Sequence, residues 1–339
     1  MTDLYLVDSP LQCLCALELS LKKNSKGIIV IRYPNKSFNK SGIQIRKILE
    51  KWENKNIYII ESHNNMVFNY FNIFYHIFLI NKLEVGCIYF GDFRSIWMSY
   101  FRKLIPHKAE CLLDDGACII SIYDNYLSRN RYFHDNFTKP KSKVGKLIYF
   151  FSKYQFIEYN VELKVSSTFP LCDKFEQLKF EKIKGLDFKL ESELTSDCKK
   201  NKKEVIYFGS KYSEANILSL SDEVLFLKKV FKDLLANHSM ITYIAHREDS
   251  KEKLDIIRNA LDVRVCILSM PAEVYLLKLA SNVTISGAYS TVLMNAKIAF
   301  NREDVISYRI PKAFINNGLI DIERAYDFYK NNGILVKNI

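Results

Sequence analysis

The chain has few of the residues that mark extended or flexible proteins. It contains 11 glycines and 7 prolines among 339 residues, which excludes collagen-like, glycine-rich linker and proline-rich disordered proteins. Its 8 cysteines have no C-x-x-C spacing and stand mostly in apolar runs, so we interpret them as reduced, buried thiols of a cytoplasmic protein. The remaining composition, 48% hydrophobic and 26% charged, is that of a globular chain with one large or two medium-sized cores.

The sequence also has no pattern of a targeting or membrane-spanning segment. The first eight residues contain neither a basic region nor a long apolar run, so no secretory signal is predicted. The longest apolar stretch, Met66 to Ile80, is interrupted by asparagine and histidine and is shorter than the roughly 20 residues that a membrane span needs. We therefore predict no transmembrane helix and expect the protein in the cytoplasm.

Charge favours an anionic partner. The excess of 49 basic over 38 acidic residues gives a net charge of +11, which suits nucleic acid, an anionic membrane face or an acidic substrate. Between Ser128 and Tyr159 basic residues alternate with aromatic ones, a pattern that fits a membrane interface, an extended acidic ligand or ordinary packing of an aromatic-rich insertion. Because no zinc-finger or RNP motif is present, nucleic acid is not an expected partner.

Short β-branched and aromatic runs alternate with longer helical patterns along the whole chain, which predicts an α/β fold with parallel sheets. The alternation stops in a charged stretch, residues 191–203, and then restarts. We therefore predict two doubly wound, Rossmann-like domains, 1–190 and 204–339, joined by a linker at 191–203. Such domains bind ligands at the carboxyl ends of their strands, so we expect the loops there to line a central cleft.

Several catalytic motifs are missing. The chain has no G-x-G-x-x-G, P-loop, G-x-S-x-G or H-E-x-x-H sequence, so a dinucleotide oxidoreductase, P-loop enzyme, typical α/β-hydrolase or zincin is not expected. A first positive signal is Asp114-Asp115-Gly116, directly after the predicted strand Ala109–Leu113. Carboxylates at this point can serve as a general base. The same residues also suit a tight turn in which an aspartate caps backbone N–H groups and glycine supplies a positive φ.

Two further loops follow predicted strands in the second half. His246 lies after the strand Met240–Ala245 and before a helix, where an imidazole can exchange a proton near neutral pH; taken singly, it is equally well a surface histidine. Ser286 to Thr291 leads from a strand towards a helix, and its N–H groups and hydroxyls suit one phosphate or a simple helix cap. Glu273 stands in the first turn of a predicted helix, where it complements the helix dipole.

Together with the loop Phe208 to Glu214, the order and spacing of these motifs resemble bacterial sialyltransferases of the two-domain GT-B type. The resemblance is to glycosyltransferase family 52, the lipooligosaccharide sialyltransferases, and to the related bacterial polysialyltransferases. The opening Leu6-Val7-Asp8-Ser9-Pro10-Leu11-Gln12 is also similar to the start of such chains. A residue-level comparison covers Phe208 to Asn295.

This resemblance implies roles for individual residues. The family's acidic motif corresponds to Asp114-Asp115-Gly116 and its His-Pro motif to His246, although Arg247 stands where proline is expected. His246 is then the general acid towards the departing cytidine monophosphate, and the base is either Glu214 or a carboxylate of the Asp114-Asp115 pair. The resemblance implies the following donor-binding residues: Gly209 and Ser210 in the first loop, Glu273 towards the nucleoside, and Ser286, Gly287, Ser290 and Thr291 around the phosphate.

The function that the resemblance implies is inverting transfer of sialic acid from CMP-sialic acid, without cofactor or metal. The expected acceptor is a galactose-containing glycan of lipopolysaccharide, O-antigen or capsule, with an alpha-2,3 linkage. Positive net charge suits the anionic donor and a lipid-linked acceptor at the inner face of the cytoplasmic membrane. The alternatives are transfer of another CMP-activated acid sugar (Kdo, legionaminic or pseudaminic acid) and a non-catalytic polyanion- or glycan-binding protein whose surface is Ser128 to Tyr159.

Overall fold

The computed structural model describes residues 1–33, 40–53, 55–62, 65–153, 161–172, 175–188 and 204–339. The chain forms two compact units, unit 1 (Met1–Leu186) and unit 2 (Asp187–Ile339). Each unit is built on a parallel β-sheet of its own, as predicted. The predicted linker, residues 191–203, lies outside the described residues.

Unit 1 contains a seven-stranded parallel sheet of order β3-β2-β1-β4-β5-β6-β7. Its strands are β1 Thr2–Val7, β2 Gly27–Tyr33, β3 Lys55–Glu61, β4 Val85–Phe90, β5 Ala109–Leu113, β6 Leu163–Ser167 and β7 Phe175–Gln177. Its helices are α1 Pro10–Lys23, α2 Lys40–Leu49, α3 Met66–Ile80, α4 Ile96–Leu104, α5 Cys118–Asn125, α6 Asp135–Thr138 and α7 Lys143–Lys153. The strand order reverses between β1 and β4, so the binding position that this topology favours lies at the ends of these two strands.

Local sequence explains the first helix well. Ser9 caps α1 by accepting a hydrogen bond from the backbone N–H of Gln12, and Pro10 occupies the first turn, where its missing N–H costs nothing. The helix is buried on every side through its middle, from Gln12 to Ser20. It ends at Asn24, whose φ of 50° is the left-handed conformation typical of a C-cap.

Unit 2 contains a six-stranded parallel sheet of order β10-β9-β8-β11-β12-β13. Its strands are β8 Glu204–Phe208, β9 Met240–Ala245, β10 Arg264–Ile267, β11 Thr284–Gly287, β12 Val305–Tyr308 and β13 Leu335–Lys337. Its helices are α8 Leu220–Leu235, α9 Lys251–Ala260, α10 Ala272–Lys278, α11 Thr291–Met294, which continues as a π-helix over Asn295–Ala299, and α12 Leu319–Asn331. Here the strand order reverses between β8 and β11.

The predicted basic and aromatic region, Ser128 to Tyr159, is only partly packed. Phe137 is buried, with its ring against Tyr100 and Tyr149, whereas Phe150 and Phe151 are exposed. Residues 154–160 lie outside the described part of the chain. Among the residues described, none of the helices combines the length and the apolar character that crossing a bilayer requires.

Candidate functional site

Unit 2 brings its predicted loops together at the carboxyl edge of the sheet. β8 pairs with β9 on one side and with β11 on the other, so the three loops that follow these strands begin side by side. Tyr212 donates a hydrogen bond to the backbone oxygen of Tyr289 (2.9 Å), and Lys211 forms an ion pair with Glu248 (2.6 Å). The loop 209–214 therefore contacts both of its neighbours.

His246 is held with one ring nitrogen in use and the other available. Its backbone N–H donates to Asp249 Oδ2 (2.8 Å), and the N–H of Glu248 donates to His246 Nδ1 (3.1 Å). Because Nδ1 accepts, the proton of the neutral ring sits on Nε2. Burial, reinforced by the positive charge of Arg247, lowers the pKa of His246 to about 4. Near neutral pH the ring is therefore neutral and offers Nε2–H as a donor.

A buried lysine holds this edge together. Lys253 Nζ, which has no solvent exposure, forms ion pairs with Glu223 (2.5 Å), Asp249 (2.9 Å) and Glu214 (3.4 Å). It also donates to the backbone oxygen of Ser210 (2.8 Å). Burial opposes its charge, but the pull of Glu223 and Asp249 is stronger, and the pKa of Lys253 is raised. Sequence reasoning missed this residue, which ties α8 and α9 to two of the three loops.

Glu214, one of the two candidate bases, is fixed as a carboxylate. It accepts a hydrogen bond from the backbone N–H of Ser250 (2.8 Å) and pairs with Lys253. Burial favours its neutral form, but these two partners together outweigh burial and lower the pKa of Glu214. A carboxylate that is stabilised in its charged form is a weak base.

Close packing explains why a glycine occupies position 209 in the first loop. A Cβ added at Gly209 would lie 2.2 Å from the hydroxyl oxygen of Tyr243, and this hydroxyl donates to Asp249 (3.2 Å). The next residue is also engaged, because Ser210 donates its hydroxyl to the backbone oxygen of Tyr289 (3.3 Å). Gly209 and Ser210 therefore shape the loop through contacts within the protein.

The predicted phosphate loop divides into a buried and a half-buried part. Ser286 lies inside the sheet, where its hydroxyl is buried and has no hydrogen-bond partner among the described residues. Gly287 pairs in register with Phe208, and a Cβ at this position would lie 3.1 Å from the Phe208 oxygen. Ser290 precedes α11 without capping it by its side chain, and the hydroxyl of Tyr329 bonds both its N–H and its oxygen.

Glu273 is buried in α10 and accepts a hydrogen bond from the side-chain amide of Asn295 (2.8 Å). Asn295 begins the π-helix, one turn after Thr291. Short π-helical stretches occur frequently at functional sites. The structure thus places a carboxylate and an amide beside the phosphate loop, and Asn295 is a site residue that the sequence predictions did not include.

In unit 1, the two neighbouring aspartates of the acidic motif have different environments. Asp114 is fully buried and accepts hydrogen bonds from the Gly116 N–H (2.9 Å), the Ser167 hydroxyl (3.2 Å), and the Thr168 N–H (2.8 Å) and hydroxyl (2.7 Å). Gly116 has a φ of 82°, which a residue with a Cβ rarely adopts. Asp114 therefore fits the turn interpretation, since both of its oxygens bond to the protein.

Asp115 has the environment of a proton acceptor. It accepts from Gln12 Nε2 (2.6 Å) and pairs with Arg94 (3.0 Å). Burial and the charge of Asp92 outweigh Arg94 and raise the pKa of Asp115 to about 7. Near neutral pH this carboxyl exchanges its proton readily.

Two more aspartates stand at neighbouring strand ends of unit 1. Asp8 follows β1 and Asp92 follows β4, at the position where the strand order reverses. Burial, together with Asp92, raises the pKa of Asp8 to about 6. Arg32 acts on Asp8 through its charge and also lines a cavity of about 340 Å³, whose other walls include Tyr70 and Trp97. The topology, and no single motif, identifies this edge as a binding position.

Comparisons with known proteins agree with this architecture. A family model described as alpha-2,8-polysialyltransferase matches residues 19–309. The chain is similar to a solved 2,6-sialyltransferase of a Vibrionaceae Photobacterium species, in a ternary complex with the donor product CMP and the acceptor lactose. That likeness has a TM-score of 0.57 and 10% identity, and covers 99% of this chain and 78% of the other.

A second solved structure is the GT-B domain, residues 113–497, of a sialyltransferase from Photobacterium damselae. It has a TM-score of 0.52 and 12% identity, and the match covers 99% of this chain and 100% of that one. No curated protein matches the chain. At such identities the structural likenesses show the fold, and the predicted GT-B architecture is confirmed. The family match spans most of the sequence, so the chain belongs to the alpha-2,8-polysialyltransferase family and is a sialyltransferase, a glycosyltransferase with the GT-B fold.

Proposed function

We propose that the protein transfers sialic acid from CMP-sialic acid, with inversion and without a metal ion, to a galactose-containing glycan of a bacterial surface polymer. The polymer is lipopolysaccharide, O-antigen or capsule. The observation that supports this proposal best is His246, which offers Nε2–H in the loop after β9, and this loop contacts the loop 209–214. CMP is the donor product bound by the similar Photobacterium enzyme.

In the proposed donor step, the bond between the anomeric carbon of sialic acid and the CMP phosphate breaks, and its electrons stay with the phosphate. The Nε2–H of the neutral His246 ring donates a hydrogen bond to the departing phosphate and stabilises this charge, and the ring keeps its proton. Ser290 contributes its hydroxyl, and Thr291 its hydroxyl and backbone N–H, around the phosphate. Glu273, held by Asn295, faces the nucleoside.

In the proposed acceptor step, a hydroxyl of the acceptor attacks the anomeric carbon from the face opposite to CMP and gives its proton to a base. We propose Asp115 as this base, because a carboxyl with a pKa of about 7 is half ionised near neutral pH and takes up a proton more readily than an ordinary carboxylate. Glu214 has a lowered pKa and an ion pair with Lys253, which suit a structural role. Asp114 positions the turn that carries Asp115.

The donor half of this proposal is tested by CMP release from CMP-sialic acid in the presence of lactose. We expect His246→Ala to reduce turnover at least about a hundredfold, as loss of one hydrogen-bond donor to a developing anion does. His238→Ala is the matched control, since His238 lies in the same unit and bonds to Leu234 and Thr284. Turnover of His246→Ala close to that of the control would remove His246 from the mechanism. Transfer that stops when EDTA is added would contradict the metal-free step.

Linkage and acceptor are tested with paired acceptors. The resemblance to lipooligosaccharide sialyltransferases favours an alpha-2,3 linkage to galactose, whereas the name of the matching family favours alpha-2,8 transfer to an acceptor that already ends in sialic acid. Lactose and sialyllactose, offered separately, distinguish the two, and NMR of the product gives the linkage. Replacing CMP-sialic acid by CMP-Kdo, or by CMP-linked legionaminic or pseudaminic acid, tests whether another acid sugar is the true donor.

The proposed acceptor is lipid-linked, and the proposed place of reaction is the inner face of the cytoplasmic membrane. Support comes from the net charge of +11, which favours an anionic surface. Protein that binds glycans but releases no CMP from any of these donors would instead support the non-catalytic alternative.

A further inference from the structure

Helix α3 has two apolar faces, one buried and one exposed. The buried face is formed by Ile73, His76, Ile77 and Ile80. The opposite face carries four aromatic side chains that are between 51% and 70% exposed: Phe68, Phe71, Tyr75 and Phe78. Their spacing of three, four and three residues places them in one stripe along the helix. An apolar stripe of this length on a helix surface indicates a binding surface.

Helix α7 has a second exposed apolar face. Its exposed apolar residues are Leu147, Phe150 and Phe151, between 53% and 64% exposed, and the spacing again places them on one face. The two helices are neighbours, because a Cβ added at Gly145 of α7 would lie 3.3 Å from the hydroxyl oxygen of Tyr70 on α3. We call the seven side chains of these two faces the aromatic surface.

The charges around the aromatic surface have one sign. No acidic residue occurs in the sequence from Ser62 to Leu83 or from Asn136 to Lys153, and the second segment contains five lysines. Asp135, just before it, is already paired with Arg131 and Lys139. Aromatic side chains bordered by lysines complement the headgroup region of an anionic bilayer.

We propose that the aromatic surface docks on the anionic face of a lipid bilayer, with the rings in the interfacial region and Lys143 and Lys146 at the headgroups. At 15 residues α3 is about 22 Å long, too short to cross a hydrocarbon core of about 30 Å, so it lies along the surface. Basic flanks disfavour a second copy of this chain as the occupant, because two such surfaces repel each other. The biological meaning of this docking rests on the proposed lipid-linked acceptor, but the docking itself does not.

The test is co-sedimentation of the full chain with vesicles of phosphatidylcholine alone or mixed with phosphatidylglycerol. We expect binding to the mixed vesicles only, and Phe71→Ser/Phe78→Ser to weaken it at least about tenfold, because the apolar transfer of two rings is lost. Ile320→Ser is the matched control, since this side chain is 69% exposed in unit 2.

A second pair of variants tests the electrostatic part. Lys143→Glu/Lys146→Glu should weaken binding by about fivefold per lysine at low salt and less at high salt, whereas Lys228→Glu/Lys330→Glu, exposed lysines of unit 2, should leave it unchanged. Equal binding of wild type and both test variants, or no binding to anionic vesicles, would overturn the proposal. A dimer of the wild type that is lost in Phe71→Ser/Phe78→Ser would assign the surface to a second copy instead.

Failure of the docking and failure of the proposed function give different results. Vesicle binding is measured without donor, and transfer to a lactose-type acceptor in solution needs no vesicle. Phe71→Ser/Phe78→Ser should therefore retain full transfer to the soluble acceptor. If this variant binds vesicles as well as the wild type does and also retains full transfer, the docking proposal alone is overturned.

Discussion

Replacing Lys253 by methionine should destabilise unit 2 strongly. The lysine ammonium is fully buried and lies 2.5 Å from Glu223, 2.9 Å from Asp249 and 3.4 Å from Glu214. Methionine keeps most of the side-chain volume but leaves the two most buried carboxylates without a positive partner. Removing one member of a buried ion pair costs about 3–5 kcal/mol of unfolding free energy, a large part of the stability of a domain.

The effect should depend on pH in a defined direction. Burial already raises the pKa of Glu223 and of Asp249, and Lys253 opposes that rise. Without the lysine both pKa values rise further, so the folded variant takes up protons more readily than the unfolded chain as the pH falls. The stability deficit of Lys253→Met is therefore smallest in acid and grows as the pH rises.

Hydrogen exchange is the suitable assay because it reads the two units separately. Peptides from α9 and β9 report unit 2, whereas both tryptophans, Trp52 and Trp97, lie in unit 1, so their fluorescence follows unit 1. Lys228→Met, at an exposed position of α8, is the control. Adding Glu223→Gln to Lys253→Met should recover at least about 1 kcal/mol, because one unpaired charge is removed.

Two outcomes would refute this reasoning. One is a loss in Lys253→Met no larger than that in Lys228→Met. The other is a full loss that does not change with pH and is not relieved by Glu223→Gln, which would mean that packing, and not charge, explains the role of Lys253.

Three further changes test other parts of the structure. Arg102→Met should cost unit 1 about 3–5 kcal/mol in urea unfolding followed by tryptophan fluorescence, since Arg102 and Glu110 are fully buried and 2.7 Å apart; a change below about 1 kcal/mol would contradict this. Gly209→Ala should cost unit 2 about 1–3 kcal/mol of unfolding free energy, because the new Cβ meets the Tyr243 hydroxyl, and should therefore lower its thermal midpoint in calorimetry; an unchanged midpoint would show that the loop adjusts without cost. With Asp115 as base, the wild-type transfer rate should rise as the pH passes about 7, and the low residual rate of Asp115→Asn should lack this rise; a variant with the same profile would place the base elsewhere.

The sequence was sufficient for nine of the strands, β1 to β5 and β8 to β11. β1, β4, β5, β8 and β9 are compact apolar runs, and their alternation with helical patterns predicted the parallel sheets correctly. Four strands were missed: β6, β7, β12 and β13. Of these, β7 and β13 have only three residues each and include polar ones, which is too short for a periodic pattern to be recognised.

The separate roles of Asp114 and Asp115 could not be predicted from the local sequence. From the sequence alone, Asp114-Asp115-Gly116 was compatible with a tight turn and with a general base. In the structure Asp114 makes the contacts of the turn, and Asp115 has the environment in which a carboxyl exchanges its proton. The deciding partners, Thr168 for Asp114 and Gln12 for Asp115, are 54 and 103 residues away. Such contacts arise only after the sheet has formed.

Lys253 and α3 were missed for related reasons. Of the ion-pair partners of Lys253, only Asp249 lies within one helical turn in sequence, and Glu223 is 30 residues away. The buried ion pairs therefore produce no recognisable pattern in the local sequence. The apolar run Met66 to Ile80 predicted the helix. It did not indicate which aromatic side chains the fold covers, because a helix that is apolar on every side has no distinguishable face.

A thermal-shift comparison of CMP with UDP and GDP separates transfer from a CMP-activated acid sugar from transfer by UDP- or GDP-sugar enzymes with this fold. A nucleotide that binds only the folded protein stabilises it by about 2.7 kcal/mol at about a hundredfold excess over its Kd. CMP alone should raise the midpoint, and the rise should be smaller in His246→Ala, which loses the Nε2–H donor. A rise with UDP or GDP and none with CMP would contradict the assignment of unit 2 as the CMP-sialic acid site.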